Sequence, residues 1–418
     1  MMADFLFLLA LLATAASFIR PAWLLGVVTL LALLWLGRIV LTRRKFWREF
    51  PGWLPLSGLL LMLPVTLWAT AMPDLTHPQV LRLLNGVLLL LLALELLRTP
   101  QQFKRLWWLV ALIAPALALF APFSVAWFPT KLPFVPSGLY ERFTILVADA
   151  VNPNVMAGSL ILFIAPAMGV WLFSLSRSQW KTAAMLTFPL LFSGAMLALT
   201  QSRSAVLALF VAGLLILTLR FPRLWIVLLA FALTLVFLPR LPAFALLADA
   251  FFAGSASGGL NGRIEIWSRA IYMIQDFAFT GVGMGSFGRV ADLLYPFFLV
   301  APGKITHAHN IFLQVAVDLG IPGLIFWLAL FFTFGAQAWQ TFQLGKRIGD
   351  AWLAGVGAGL LGALLAQAFH GMFDAVTWGE VRSAPLVWLL WGVIAVGWNV
   401  FVRPILAANH ANPAPTAE

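Results

Sequence analysis

The stretch His307-Ala308-His309-Asn310-Ile311-Phe312-Leu313-Gln314-Val315-Ala316-Val317-Asp318-Leu319-Gly320-Ile321-Pro322-Gly323 joins the two kinds of sequence that make up this chain. Upstream of it, from about Pro239, runs the one long connection between apolar segments. After Asn310 an apolar run begins that is long enough to cross a bilayer. The connection carries Arg240, Arg263, Arg269, Arg289 and Lys304 and two of the five histidines. Almost everything else is apolar, so the polar chemistry is gathered in one place.

The 418 residues are 62% hydrophobic and 10% charged, with a mean hydropathy of +0.97. A water-soluble domain carries about 25% charged residues, so the composition identifies an all-α polytopic membrane protein. The net charge of +11 would suggest nucleic acid in a soluble domain. Here many basic residues sit in short turns between apolar runs, where they orient helices, and no nucleic-acid binding follows. The absence of cysteine excludes disulfides, iron–sulfur clusters and thiolate zinc sites.

A crossing helix needs about 20 apolar residues. On that ruler twelve spans are expected, near 4–19, 22–41, 53–72, 80–97, 106–127, 154–175, 182–199, 205–219, 224–238, 311–340, 351–371 and 384–402. The first is expected to be an uncleaved helix: Ala13-Thr14-Ala15-Ala16-Ser17 resembles a cleavage region, but Met1-Met2-Ala3-Asp4 has no basic start. With the N-terminus inside, the inner turns hold Arg43, Arg44, Lys45, Arg48, Arg98, Lys104, Arg105, Arg177, Lys181, Arg220, Arg223, Lys346, Arg347 and Arg403, fourteen of the 26 basic residues. The short outer turns hold Arg20, Lys131, Arg142, Arg203 and Arg382. The excess places both termini in the cytoplasm and the large loop outside. The expected organisation is therefore helices over 1–238, a large outer loop over 239–309, three more helices over 310–404 and a cytoplasmic tail over 405–418.

Within the large loop, Ile264, Trp267, Ile271 and Ile274 recur at helical spacing and predict an amphipathic helix at the outer surface. The run at 254–259 reads as a flexible joint. Gly281-Val282-Gly283-Met284-Gly285-Ser286-Phe287-Gly288 contains a G-x-G-x-x-G, but no strand precedes it. It reads as a tight packed loop and not a dinucleotide site. Asn152-Pro153-Asn154 reads as a turn and helix cap, and Gly355-Val356-Gly357-Ala358-Gly359 as a helix-packing face.

Four outer positions could carry chemistry. Arg203 interrupts two apolar helices with almost no loop, where burying an arginine is costly unless an anion offsets it; snorkelling to lipid headgroups is the other reading. Arg263 is either a second anion ligand or a solvated loop residue. Two arginines converging from different segments would clamp a phosphate or pyrophosphate. His309, where the loop re-enters the membrane, is suited to general-base work near its ordinary pKa of about 6.5, although a lone surface histidine is as often structural. Arg382, with His370 and Asp374, forms a secondary group in the last outer turn. His307 and His309 would diverge on a helix and do not suggest a metal pair, so no metal and no cofactor are expected.

His309-Asn310, nine residues, then Gly320-Ile321-Pro322-Gly323 resembles the H-[N/S/Q]-x9-G-x-x-G signature of the O-antigen ligase and bacterial O-oligosaccharyltransferase superfamily. Gly262-Arg263 with Trp267, Gly281-Val282-Gly283 with Gly285, and Ser202-Arg203-Ser204 resemble that family's other motifs in the same order. The resemblance covers about 200–325 in detail. It implies a GT-C-like glycosyltransferase architecture in the bacterial inner membrane with the site facing the periplasm. It also implies an undecaprenyl-diphosphate-linked glycan donor, a lipid A-core acceptor, surrounding membrane lipids, and metal-independent inverting transfer. Carried onto this chain, it makes Arg203 and Arg263 ligands of the diphosphate and His309 the base. Asn310, Gln201, Arg142, Arg382, Trp267 and His307 would bind substrate. A protein O-oligosaccharyltransferase shares the His-Asn pattern; an O-antigen polymerase usually shows two large outer loops. A lipid-glycan transporter would place its ionisable residues at mid-membrane on broken helices, whereas most outer charge here lies near one face.

Overall fold

The computed structural model describes residues 2–43, 50–127, 137–147, 149–176, 179–226, 260–299, 301–379 and 381–411. Most of the expected span 224–238, the joint 254–259 and Arg240 lie outside them. The helices are α1 (Met2–Ile19), α2 (Leu24–Thr42), α3 (Trp53–Ala69), α4 (Pro73–Leu96), α5 (Pro100–Ala111), α6 (Ile113–Ser124), α7 (Pro153–Phe173), α8 (Trp180–Leu199) and α9 (Arg203–Arg220). The large loop contributes α10 (Leu260–Asp276) and α11 (Phe287–Leu294), and the chain continues with α12 (Ile311–Arg347), α13 (Ala351–Gly371), α14 (Pro385–Gly397) and α15 (Arg403–Ala411). Among the described residues ten helical stretches are long and apolar enough to cross a membrane, and α3, with 17 residues, is shorter. The chain is an all-α polytopic membrane protein.

Helix ends follow local chemistry. Asn152 caps α7 by accepting from the Asn154 N–H at 2.8 Å, as the Asn-Pro-Asn pattern predicts. Thr99 and Gln102 form a reciprocal capping box at α5, which starts that helix six residues before the expected 106. α5 breaks into α6 at Leu112, where Pro115 cannot supply the N–H that Ala111 would otherwise receive.

The helices sort by environment. α4 is buried continuously from Asn85 to Leu96, and every residue of α14 is buried. By contrast α2, α3 and α8 present Leu33, Val40, Trp68, Phe188 and Leu191 outward, each more than 60% exposed, which suits contact with lipid. α7 and α13 meet through glycines: a Cβ on Gly169 would lie 2.4 Å from the Gly359 Cα, and one on Gly355 2.8 Å from the Val170 Cα. Only hydrogen at these positions allows such an approach. The Gly355 to Gly359 run is therefore a packing face, as its pattern suggests.

α12 is two helices joined by a kink at Gly320, with φ 71° and ψ 177°. Pro322 cannot donate to the Asp318 carbonyl; the Thr66 hydroxyl does so instead, at 2.9 Å. The turn after α10 satisfies the rest: Val282 N donates to Val317 O at 2.8 Å and Ile321 N to Ala278 O at 2.7 Å. Non-helical backbone at membrane depth is tolerable where other protein groups satisfy it in this way. The glycines of that turn are steric requirements, since a Cβ on Gly281 would sit 2.6 Å from the Asp318 carbonyl carbon and one on Gly283 2.5 Å from Thr70 Oγ1. The G-x-G run is thus a packed loop.

α10 forms as predicted, but on a different face. Ile266, Ala270 and Met273 are fully buried against Val282, Phe287, Val290, Ile305 and Ala308, whereas Ile264 and Ile271 are 53% and 45% exposed. The helix is apolar on two sides, and sequence periodicity selected the outer one. The inner stripe fixes α10 over the start of α12.

Candidate active site

The chain at His307-Ala308-His309 is held by the helix it enters. The buried Ala308 N–H donates to Gln314 Oε1 at 2.7 Å. Gln314 Nε2 donates to Asp318 Oδ1 at 2.9 Å, and Trp378 Nε1 to Asp318 Oδ2 at 2.8 Å. Asp318 also accepts from Gly285 N at 3.2 Å, so one buried carboxylate links the glycine loop, α12 and the last outer turn. Asn310 caps α12, its Oδ1 accepting from Phe312 N and Leu313 N at 3.0 and 3.1 Å. Its Nδ2 donates to Met372 O at 3.2 Å.

Between these anchors His309 adopts a left-handed backbone, φ 47°, a conformation uncommon for residues other than glycine, though histidine takes it more readily than most. The turn brings the two imidazoles together, with ring centroids 4.1 Å apart. This corrects the expectation that His307 and His309 diverge: that holds on a helix, and the helix begins only at Ile311.

Both rings meet Asp374, 67 residues beyond His307. Its Oδ1 lies 3.0 Å from His307 Nε2 and 3.8 Å from His309 Nδ1. α13 delivers it, because the Phe373 and Asp374 N–H groups both donate to His370 O at 3.0 Å as the helix ends. Arg263 donates through Nη1 to Phe373 O, which puts a guanidinium from α10 on the same turn. Asp374 is 2% exposed, while His307 and His309 keep 18% and 22% of their side-chain surface open.

The electrostatics follow from burial. Desolvation lowers the His309 pKa below its ordinary value, with repulsion from His307 and Arg263 adding to this and Asp374 opposing it. His309 is therefore a neutral acceptor at neutral pH. Burial pushes the Asp374 carboxyl up, but the hydrogen bond from His307 and the charges of His307 and His309 outweigh it and hold the group well below the usual carboxylate range. Desolvation lowers the Arg263 pKa, partly offset by Asp374; an arginine stays protonated regardless.

The start of α9 reaches the same region through Ser204, whose Oγ lies 3.1 Å from His370 Nδ1. His370 is buried and supplies the carbonyl that ends α13. Arg203 is the first residue of α9, and Gln201, at φ 53°, makes the turn before it. Gln201 Nε2 donates to the Tyr140 hydroxyl at 2.8 Å. Arg142 is exposed at the end of a 3-10 turn, Ser137–Arg142, and Arg382 pairs with Asp149 at 2.7 Å. The Trp267 indole N–H is buried without a hydrogen-bond partner among the described residues. The structure thus unites Arg263, His307, His309 and Asn310 around Asp374. In the sequence Asp374 stands out only as an acidic residue in the last outer turn close to His370.

His307, His309 and Asp374 each offer one atom within 4.8 Å of the others, so the trio could also hold a metal ion. A carboxylate and two imidazole nitrogens are a donor set that suits zinc or another borderline cation. The same three groups equally make a base with its orienting acid.

Residues 188–328 match the family model described as O-antigen ligase. The match includes Arg203, Arg263 and His309 and bears out the resemblance read from those motifs. It ends before His370 and Asp374, which the fold brings to the same place. No curated protein matches the chain.

Proposed function

We propose that this protein is an O-antigen ligase, transferring undecaprenyl-diphosphate-linked O-antigen onto lipid A-core at the periplasmic face of the inner membrane. The observation that carries the reading is the meeting of Arg263, His309 and Asp374 where the outer loop re-enters the membrane, inside and just beyond the stretch matched by the O-antigen ligase model. A diphosphate is already a good leaving group. The protein has to hold it, neutralise its developing charge and take a proton from the attacking hydroxyl.

In the proposed reaction an acceptor hydroxyl oxygen bonds to the anomeric carbon of the donor glycan. The bond from that carbon to the diphosphate oxygen breaks, and the lipid diphosphate leaves with the electron pair. Direct displacement inverts the anomeric centre. Arg203 and Arg263 bind the diphosphate; Arg263 spends one N–H on Phe373 and keeps other donors for it. His309, neutral and partly open, receives the proton, and Asp374 beside Nδ1 stabilises the imidazolium. A positioned base of this kind contributes about 10² to 10⁴ in rate.

The test is transfer by purified protein in bilayers, with undecaprenyl-diphosphate-linked glycan and with lipid A-core or a pilin-type peptide as separate acceptors, each with and without EDTA. Glycan on lipid A-core supports the ligase. Glycan on the peptide moves the protein to the protein-modifying branch, and a lengthened donor makes it a polymerase. Activity that survives EDTA supports a proton-transfer role for the trio, whereas activity lost to EDTA and restored by a divalent cation assigns it to a metal.

A further inference from the structure

The outer end of α6 and the 3-10 turn border an open cleft of about 300 Å³ lined by Trp127, Ser137, Tyr140, Glu141, Phe143 and Ile145. That volume is at the lower end of small-molecule sites, about 300–1,000 Å³. Three aromatic rings form its wall at mutual inclinations: Trp127 to Tyr140 at 5.5 Å and 45°, Trp127 to Phe143 at 5.3 Å and 42°, and Tyr140 to Phe143 at 6.2 Å and 86°.

The wall is fixed in place. The Tyr140 hydroxyl donates to Leu199 O and accepts from Gln201 Nε2, both at 2.8 Å, tying the cleft to the turn that begins α9. Backbone bonds from Val151 N to Ser124 O at 2.7 Å and Leu146 N to Phe123 O at 2.8 Å pin the loop to α6. The polar equipment is a carboxylate, Glu141, and a hydroxyl, Ser137, both exposed.

We infer that this cleft is a carbohydrate subsite, holding one pyranose ring of a glycan substrate next to the Gln201 to Arg203 turn. A pyranose has an apolar C–H face, which stacks on aromatic rings, and a rim of hydroxyls, which donate to a carboxylate such as Glu141 and exchange hydrogen bonds with a hydroxyl such as that of Ser137. Glu141 disfavours a phosphate at this spot, and a hydrocarbon chain would leave the carboxylate without a use. The inference rests on the glycosyl-transfer reading for which glycan is bound. The ring belongs either to the donor, whose first sugar adjoins the diphosphate, or to the acceptor.

The test uses the full chain in phosphatidylethanolamine–phosphatidylglycerol nanodiscs, with lipid-free O-unit oligosaccharide and lipid-free core oligosaccharide as probes in saturation-transfer NMR. Binding of one of them, weakened roughly five- to ten-fold in Trp127→Ala and Phe143→Ala, supports the subsite and names the source. Glu141→Gln should also weaken binding, and its exposed position keeps folding out of the comparison. Wild-type protein that binds neither oligosaccharide, or variants that bind as wild type does, overturns the proposal. So does displacement of the oligosaccharide by undecaprenyl phosphate in place of sugar. Transfer without oligosaccharide binding would sink the subsite and leave the enzyme reading intact; binding without transfer would do the reverse.

Discussion

Asp374 is a carboxylate with almost no access to water, compensated by hydrogen bonds from Ala375 N and His307 Nε2 and by the nearby guanidinium of Arg263. Its charge works on His309 in a definite direction. Burial and His307 lower the His309 pKa below 6.5, and Asp374 pulls it back up. Since the base must be neutral, transfer should lose rate on acidification only below pH 6.5. Asp374→Asn removes a group that raises the pKa, so the acid limb should move to lower pH while kcat falls by at least about 10²-fold. A limb that stays in place would show that another group titrates. Stability carries its own sign: the depressed Asp374 pKa contributes stability above the ordinary carboxylate value of 3.8, lost only as pH falls beneath it. His309→Ala should keep donor binding and lose transfer, which equilibrium binding of the lipid diphosphate separates from turnover. Loss of binding alone would make it a binding residue.

At the scale of elements, the site depends on how α12 and α13 end. Gly320 sits at a φ and ψ open essentially to glycine, and a Cβ there would lie 2.7 Å from the Phe279 carbonyl carbon. Gly320→Ala should therefore destabilise the protein by about 1–3 kcal/mol, read as a lower thermal midpoint in detergent. Midpoints equal to wild type would mean the kink relaxes without cost. The Ser204 to His370 bond couples α9 to α13, and so Arg203 to the turn that carries Asp374. Ser204→Ala and His370→Asn should each raise KM for the lipid-linked donor more than they lower kcat. Together they should be less than additive, because each removes the same bond. Additive effects would show that the two helices are positioned independently. Helices as such were legible: apolar runs, Asn152 and the glycine face of α13 announce themselves locally. The kink was half legible, since Pro322 and Gly320 mark a break. Nothing local shows that Thr66, Ala278 and Val282 satisfy it.

For the whole molecule, the site was legible as a list but not as a geometry. Arg263 and His309 are marked by composition and motif, whereas Asp374 joins His307 across 67 residues only because α13 returns to the outer end of α12. No spacing rule reaches that far. Likewise the convergence of the two histidines depends on one left-handed residue, His309, and the modest preference of histidine for that region does not single out this position. For orientation the sequence offers an expectation, from fourteen basic residues in the turns assigned to the cytoplasmic side. The chain contains no cysteine, so single cysteines can report that orientation directly. Replacing Glu141 or Phe298, both exposed, should give protein that reacts in intact spheroplasts with a membrane-impermeant maleimide. Replacing the exposed Arg347, at the far end of α12, should give protein that reacts only after permeabilisation. The reverse pattern would put His309 and Asp374 on the cytoplasmic side. There a periplasmic lipid-linked donor and a lipid A-core acceptor could not meet them, so this one labelling experiment bears on the reaction as much as on the topology.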